Sequence, residues 1–252
     1  AMTGAPPSSR DDLRLPNQLR AMGAEPGALS RADGSTRFSH DGTQLLAAVW
    51  GPVEVRRARE RPDRATLEVL VRPFAGLAGA LERELELLLT ETLTHLIQLT
   101  LHPRTLISVV IQPTHDDGSL LAAALHASCL ALMHAGIPLR GMLGACTVAY
   151  MPDGSMFLDP TRLEEAGATS TATLAYLVRS SPDDDAEASC DLLLSHATGS
   201  VSITDLEALL SVTKEAARAT IRFCRQAMLA GRAPLDPPLL ALGKLAATET
   251  VA

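Results

Sequence analysis

Asp116, Asp117, Gly118 and Ser119 stand directly before an apolar run that reads as a helix. Two acids and a glycine make a turn, and a serine suits a helix start. There the free N–H groups and the positive end of the helix dipole favour an anion. Phosphate is the natural guest of such a seat, yet the next residues are Leu120 and Leu121, where a phosphate site would want arginine. A second group of chemical interest is Asp159, Glu164 and Glu165. Two acids a few residues apart can hold Mg²⁺ beside a phosphate. Arg162 stands between them and would compete for the carboxylates, so an acidic loop with local ion pairs is favoured on these residues alone.

Other chemistries find less support. Ser119 lies near His115 and Asp116 in sequence, but a catalytic triad is assembled in space, and such nearness is weak evidence for one. The histidines are scattered, and His126 and His134 are too far apart on one helix to share a metal; core or surface roles are expected. Cys129, Cys146, Cys190 and Cys224 show no CxxC pattern, so buried free thiols are expected and a zinc site is not. Neither a Walker A loop nor GxGxxG is present. No metal or cofactor is expected.

The elements that must position these residues can be read from spacing. Residues 1–27 are punctuated by Pro and Gly and read as a flexible extension. Asp33-Gly34 and Asp41-Gly42 are turn dipeptides between short extended stretches. Gln44–Trp50 reads as a strand ended by Gly51-Pro52, and 66–72 alternates as a second strand. Between them "RRARERPDR" reads as a solvated hairpin loop, or alternatively as a small basic patch. Leu81, Leu85, Leu88, Leu89, Thr92, Leu96 and Leu99 predict a helix over 78–100. A β-branched strand follows over 105–112, then a helix over 119–135 that is apolar nearly all round and therefore buried. "RGMLGACTVAYMPDGSMFLDP" reads as a strand, a turn and a returning strand. Further strands are expected near 171–178 and 190–196, with the acidic "SPDDDAE" as a loop between them. A last helix runs from Thr204, spaced from Glu207 as in a capping box, to about 230; 231–252 reads as a tail.

This order is mixed α/β with antiparallel hairpins, one domain or two fused halves, with no strong internal repeat. The chain has 252 residues, 46% hydrophobic and 20% charged, with only 3% aromatic. Its core must therefore be aliphatic. A net charge of −7 argues against strong autonomous nucleic-acid binding but leaves room for a local basic patch. No apolar run reaches membrane-span length and no signal-peptide core opens the chain, so an intracellular, soluble protein away from membranes is expected.

Several segments in order carry a resemblance. "LSRADGSTRFSHDGTQLLAAVWGPVEV", "RATLEVLVRP", "LHPRTLISVVIQ", "DDGSLLAAALHASCLALMHAGIPLRG" and "DGSMFLDPT" resemble the RNase PH family, over about residues 28–229. Within it the likeness is greatest to a core subunit of the eukaryotic RNA exosome. The resemblance implies an α+β RNase PH fold of two β-α-β-α halves related by a pseudo-twofold (ribosomal protein S5 domain 2-like). One such domain would span 28–230. It implies a hexameric ring of heterodimers, here with the subunit numbered forty-three as partner. RNA-binding cap subunits would sit on one face and a processive exonuclease below, with RNA in the channel. It implies residence in nucleus, nucleolus and cytoplasm.

Active members attack the RNA 3′ end with phosphate, which needs cations to hold two anions together. By resemblance the family's phosphate loop falls on Gly118, Ser119 and Leu120, where leucine replaces an arginine. The family's helix arginines fall on Ala80 and Glu86, and its acidic pair on Asp159 and Glu165. A degenerate, non-catalytic site is the expectation. The alternative is an active phosphorolytic 3′–5′ exoribonuclease. Arg72, at a strand end, and Arg56 and Arg57 are candidates for RNA contact.

Overall fold

The computed structural model describes residue 10 and residues 14–181, 184–201 and 203–230, the side chains of 180–188 and 202–205 excepted. Strands Met22–Pro26 (β1), Gly34–His40 (β2), Thr43–Glu54 (β3), Thr66–Val71 (β4) and Thr105–His115 (β5) form one sheet in the order β1-β2-β3-β5-β4. β4 runs parallel to β5, and helix Ala80–Leu96 (α1) makes the crossover such a pair requires. Helix Leu120–His134 (α2) closes this half. Strands Met142–Tyr150 (β6), Met156–Leu158 (β7), Ser170–Ser181 (β8) and Asp184–Thr198 (β9) form an antiparallel sheet in the order β7-β6-β8-β9. A short helix, Arg162–Gly167 (α3), follows β7, and helix Ile203–Ala230 (α4) ends the second half. Both halves thus run strands, helix, strand or hairpin, helix, which is the expected α+β order.

α2 lies at the centre because its sequence leaves it no polar face. Every residue from Leu121 to Leu132 is buried. The helix touches β2 and β3 of the first sheet and β6 and β8 of the second. β6 is buried from Leu143 to Ala149 because α2 and α4 both pack on it. α1 is one-sided: Leu89, Leu93 and Leu96 are buried, while its first turns stand in solvent. Leu81, expected on the buried face, is 73% exposed. Leu99, expected to extend the helix, is buried in a separate 3₁₀ turn, Leu99–Leu101. Among the described residues no helix is long and apolar enough to cross a membrane.

Four further expectations change. The described part of the supposed flexible extension is built into the fold, with β1 as an edge strand on β2. Gly51-Pro52 does not end β3; the strand bulges there against β5 and continues to Glu54. Most of the acidic "SPDDDAE" segment is strand, since β8 runs to Ser181 and β9 starts at Asp184. The Thr204–Glu207 capping box falls on a side chain outside the described ones, and α4 begins at Ile203.

The two Asp-Gly pairs part ways. Asp41-Gly42 is the expected two-residue hairpin turn, with His40 paired to Thr43. Gly34 instead opens β2, and its role is close approach: a Cβ there would stand 2.6 Å from Ala135 Cβ, at the end of α2. Gly34→Ala must push α2 off β2. We expect it to lower stability by about 1–3 kcal/mol, read as a reduced midpoint of urea unfolding with an unchanged m-value.

Candidate functional site

The centre of the site is Asp159, just beyond β7, with φ +52 and a backbone N–H donating to Thr147 O at 2.8 Å. Its side chain is 1% exposed. A lone carboxylate cannot stay charged there, so each oxygen is paired. Arg20 Nη2 donates to Oδ1 at 2.8 Å and the Arg20 N–H donates to Oδ2 at 2.9 Å. His40 Nε2 lies 3.3 Å from Oδ2. Burial works to raise this carboxyl, and the facing His40 and Arg20 overcome it, holding it well below the usual carboxylate range. Burial depresses His40 in turn. At neutral pH the balancing charge is therefore that of Arg20.

Arg20 also ties down the loop that opens α2. Its Nη1 donates to Asp117 O at 2.8 Å and its Nη2 to Gly118 O at 3.2 Å. Thr43 Oγ1 donates to Gly118 O at 2.7 Å and accepts from the Asp117 N–H at 3.0 Å. Gly118 has φ +84, and a Cβ there would stand 2.7 Å from Arg162 N and 2.8 Å from Pro160 O. Only glycine lets the loop press so closely on the start of α3.

That contact decides what the helix start can hold. The Ser119 N–H donates to Glu165 Oε1 at 2.7 Å. One of the donors expected to meet a phosphate is thus taken by the chain's own carboxylate. Burial, opposed by this hydrogen bond and reinforced by Asp116, raises the Glu165 carboxyl. Ser119 is not a side-chain cap: it sits at φ +52, and its hydroxyl donates to Pro160 O at 3.2 Å. With Ser119 so engaged and His115 exposed, the sequence-adjacent triad does not form.

The remaining sequence candidates scatter. Leu120 packs, partly buried, against the main core. Arg162 does not compete for the acids of its own helix; it pairs with Asp116 at 2.9 Å. Glu164 belongs to a capping box with Thr161 and to ion pairs with Arg10 at 3.0 Å and Arg14 at 3.8 Å. Ala80 is exposed on the first turn of α1. Glu86 accepts the Val71 N–H at 2.9 Å, at the end of β4. Arg72 is exposed, with its backbone N–H held by Ile111 O. Arg56 and Arg57 are exposed beside the 3₁₀ turn Arg57–Arg59. Arg59, by contrast, is held by Glu68 at 2.8 Å. The four thiols are free, three of them buried. Burial pushes Cys129 up to about 11, so it is inert as a nucleophile at neutral pH.

Sequence spacing missed Arg20 and His40, while His126, expected in a core or surface role, lies in the core. His126, inside α2, accepts the Ala145 N–H on Nε2 at 2.8 Å and so fastens α2 to β6. Its ring lies 5.4 Å from Phe38 and 6.3 Å from His40. The one legible signal was a histidine in a helix otherwise apolar all round.

Residues 18–138 match the 3′ exoribonuclease family known as RNase PH, domain 1. An Arabidopsis thaliana protein named exosome complex exonuclease RRP46 homolog is 40% identical over 167 residues, 66% of this chain and 70% of that protein. The crystal structure of rice (Oryza sativa) Rrp46 superposes with a TM-score of 0.78 at 36% identity, covering 87% of this chain and 100% of that one. A chain of the Archaeoglobus fulgidus exosome with RNA bound to its active site shares the fold, with a TM-score of 0.71 at 21% identity over 86% of this chain and 92% of that one.

The buried rings set an acid limit. Burial pushes His126 down to about 3 from its ordinary 6.5, with His40 adding to the shift. The unfolded chain therefore binds a proton below 6.5 that the folded chain refuses until about 3. Stability falls as pH drops through that window, by roughly 1.4 kcal/mol per unit for this one proton. His126→Gln, which can still accept the Ala145 N–H, is expected to reduce that slope by about one proton's worth. Urea melts of both proteins at pH 7, 5.5 and 4.5 check this; equal slopes would assign the acid sensitivity elsewhere.

Proposed function

The chain belongs to the RNase PH family of 3′ exoribonucleases, and from that premise we propose that it is a non-catalytic ring subunit of a eukaryotic RNA exosome, of the RRP46 kind. One observation carries the non-catalytic part. The Ser119 N–H, one of the donors at the start of α2, is already bound by Glu165. A phosphate arriving there must displace a carboxylate, and it finds Leu120 where the family resemblance calls for an arginine. A leucine side chain offers nothing to a phosphate oxygen.

The donor set also fits a divalent cation poorly. Both oxygens of Asp159 are already engaged, by Arg20 and beside His40. Drawing that carboxylate onto a metal would strand a buried guanidinium, which breaking a buried pair makes costly, about 3–5 kcal/mol. The acid of the resemblance serves here as a strut. Ala80 and Glu86 add no cation to the neighbourhood, and Glu86 is held by β4.

In this reading the protein supports 3′-to-5′ RNA processing by completing a ring. Its partners are other RNase PH-like subunits, with a heterodimer to the subunit numbered forty-three, the RNA-binding caps and a processive exonuclease. Residence follows that machinery through nucleus, nucleolus and cytoplasm. Arg72, Arg56 and Arg57, exposed and without ion pairs among the described residues, are available to RNA in the channel.

The decisive assay combines the purified full chain with a 3′-tailed labelled RNA, Mg²⁺ and inorganic phosphate. No nucleoside diphosphate is expected. Release that needs phosphate and is lost in Glu165→Gln would return the protein to the active phosphorolytic enzymes. Glu165→Gln suits this test better than Asp159→Ala, which removes the partner of a buried arginine and confounds activity with folding.

A further inference from the structure

The segment "PFAGLAGAL", 73–81, links β4 to α1 and carries no charged residue. Every residue from Phe74 to Leu81 is exposed. Phe74 is 74% exposed and Leu77 97%. Single exposed leucines are ordinary on a protein surface. A whole uncharged loop that holds several large apolar side chains in water is not, and marks a contact surface.

The local geometry leaves these side chains uncovered. At Gly76, φ +87, nothing lies within 4 Å of where a Cβ would stand. α1 is capped by a polar contact, the Gly79 N–H donating to Glu82 Oε2 at 2.7 Å. The apolar pair that often fixes a helix entry does not form, because Ala78 precedes the cap and Arg83 is the fourth helical residue. Leu81, Leu85 and Leu88 follow at i, i+4 and i+7 on one side of α1. Leu85 and Leu88 pack, partly buried, against the main core, while Leu81 stands clear of it. The apolar stripe of α1 thus runs past the protein's own core and into the loop.

The charges beside the patch restrict what can cover it. α1 carries Glu82, Glu84, Glu86 and Glu91 against one arginine, Arg83. Glu84 is 55% exposed, with His196 at 4.0 Å, and Glu91 is exposed without an ion pair among the described residues. A nucleic-acid backbone or an anionic lipid surface meets repulsion here. A second copy of the chain meets it too, since a two-fold contact sets a patch against itself and brings acid to acid. An apolar groove rimmed by Lys or Arg suits both the loop and its acids.

We infer that the 73–81 loop and the first turns of α1 dock into a different protein chain that offers an apolar groove with a basic rim. Phe74 and Leu77 are the anchors, and Glu84 and Glu91 lie at the polar edge of the contact. On the ring reading, on which this step rests, that chain is the RNase PH-like subunit paired with this one.

Biolayer interferometry of the full chain against purified RNase PH-like subunits, at low and high salt, tests it. Wild type is expected to bind its paired subunit. Leu77→Asp and Phe74→Ser are each expected to weaken binding about thirtyfold, the loss that marks an interface anchor. Tm is expected to stay unchanged, because both side chains stand in solvent in the free chain. Glu84→Lys is expected to slow association and blunt its salt dependence. Leu229→Asp, at an exposed leucine of α4, is expected to bind as wild type. Binding by Leu77→Asp as tight as by wild type, or equal weakening by Leu229→Asp, would overturn the docking surface and leave the ring reading standing. Wild type that binds no RNase PH-like subunit would overturn both. A dimer of the chain alone that Leu77→Asp abolishes would give the loop to a second copy. Cosedimentation of wild type, but not of Leu77→Asp, with phosphatidylcholine vesicles would give it to lipid. Either result defeats the inference.

Discussion

Asp159 keeps its charge in the interior only because segments far apart in the chain close around it. Arg20 brings both its guanidinium and its backbone N–H, β2 brings His40, and β6 offers the Thr147 carbonyl to the Asp159 N–H. Arg20 then reaches on to the carbonyls of Asp117 and Gly118. One side chain thus joins the segment before β1, the loop before α2 and the end of β7. Removing Arg20 or Asp159 leaves a buried ion without its partner, so this pair is all-or-none in a way that aliphatic packing around α2 is not.

The same closure explains why Glu165 reaches the start of α2. To bring Arg20 within reach of both Gly118 O and Asp159, the loop must lie against Pro160 and Arg162, and Gly118 without a Cβ permits it. α3 then stands directly over α2, and Glu165 lies 2.7 Å from the Ser119 N–H. The helix dipole is satisfied by a carboxylate from the protein itself. Glu165 thus joins α3 to the start of α2 through one charge-assisted hydrogen bond.

Much of the fold was legible because its periodicities are strong. α2 read as a buried helix from composition alone, and β5, β6 and β8 read as strands from β-branched or continuous apolar runs. Errors fell where a local rule met a tertiary contact. Gly51-Pro52 carries a chain-ending signal, but β5 pairs with β3 on both sides of it and the strand absorbs it as a bulge. Gly34 looked like half of a turn and is instead the point where α2 comes closest to β2. Within the site, Asp159 and Glu165 were visible as acids of suggestive spacing. Their partners were not: Arg20 lies 139 residues from Asp159 in sequence, and no periodicity links an arginine in a Pro-punctuated segment to a turn in the other half of the chain.

Arginine shows how far residue type alone underdetermines role. Arg20 is sealed from solvent and its charge is consumed by Asp159 and Asp117. Arg59 and Arg162 stand in solvent, each with a carboxylate at hydrogen-bond distance, and such pairs contribute about 0–1 kcal/mol. Arg179 belongs with that second set, 57% exposed and 2.9 Å from Asp191, whereas Arg140 is exposed with no ion pair among the described residues. The sign of the whole chain, −7, therefore says little about where an anion would go. At the start of α2 a carboxylate of the chain itself, Glu165, takes the Ser119 N–H, one of the donors an anion would use.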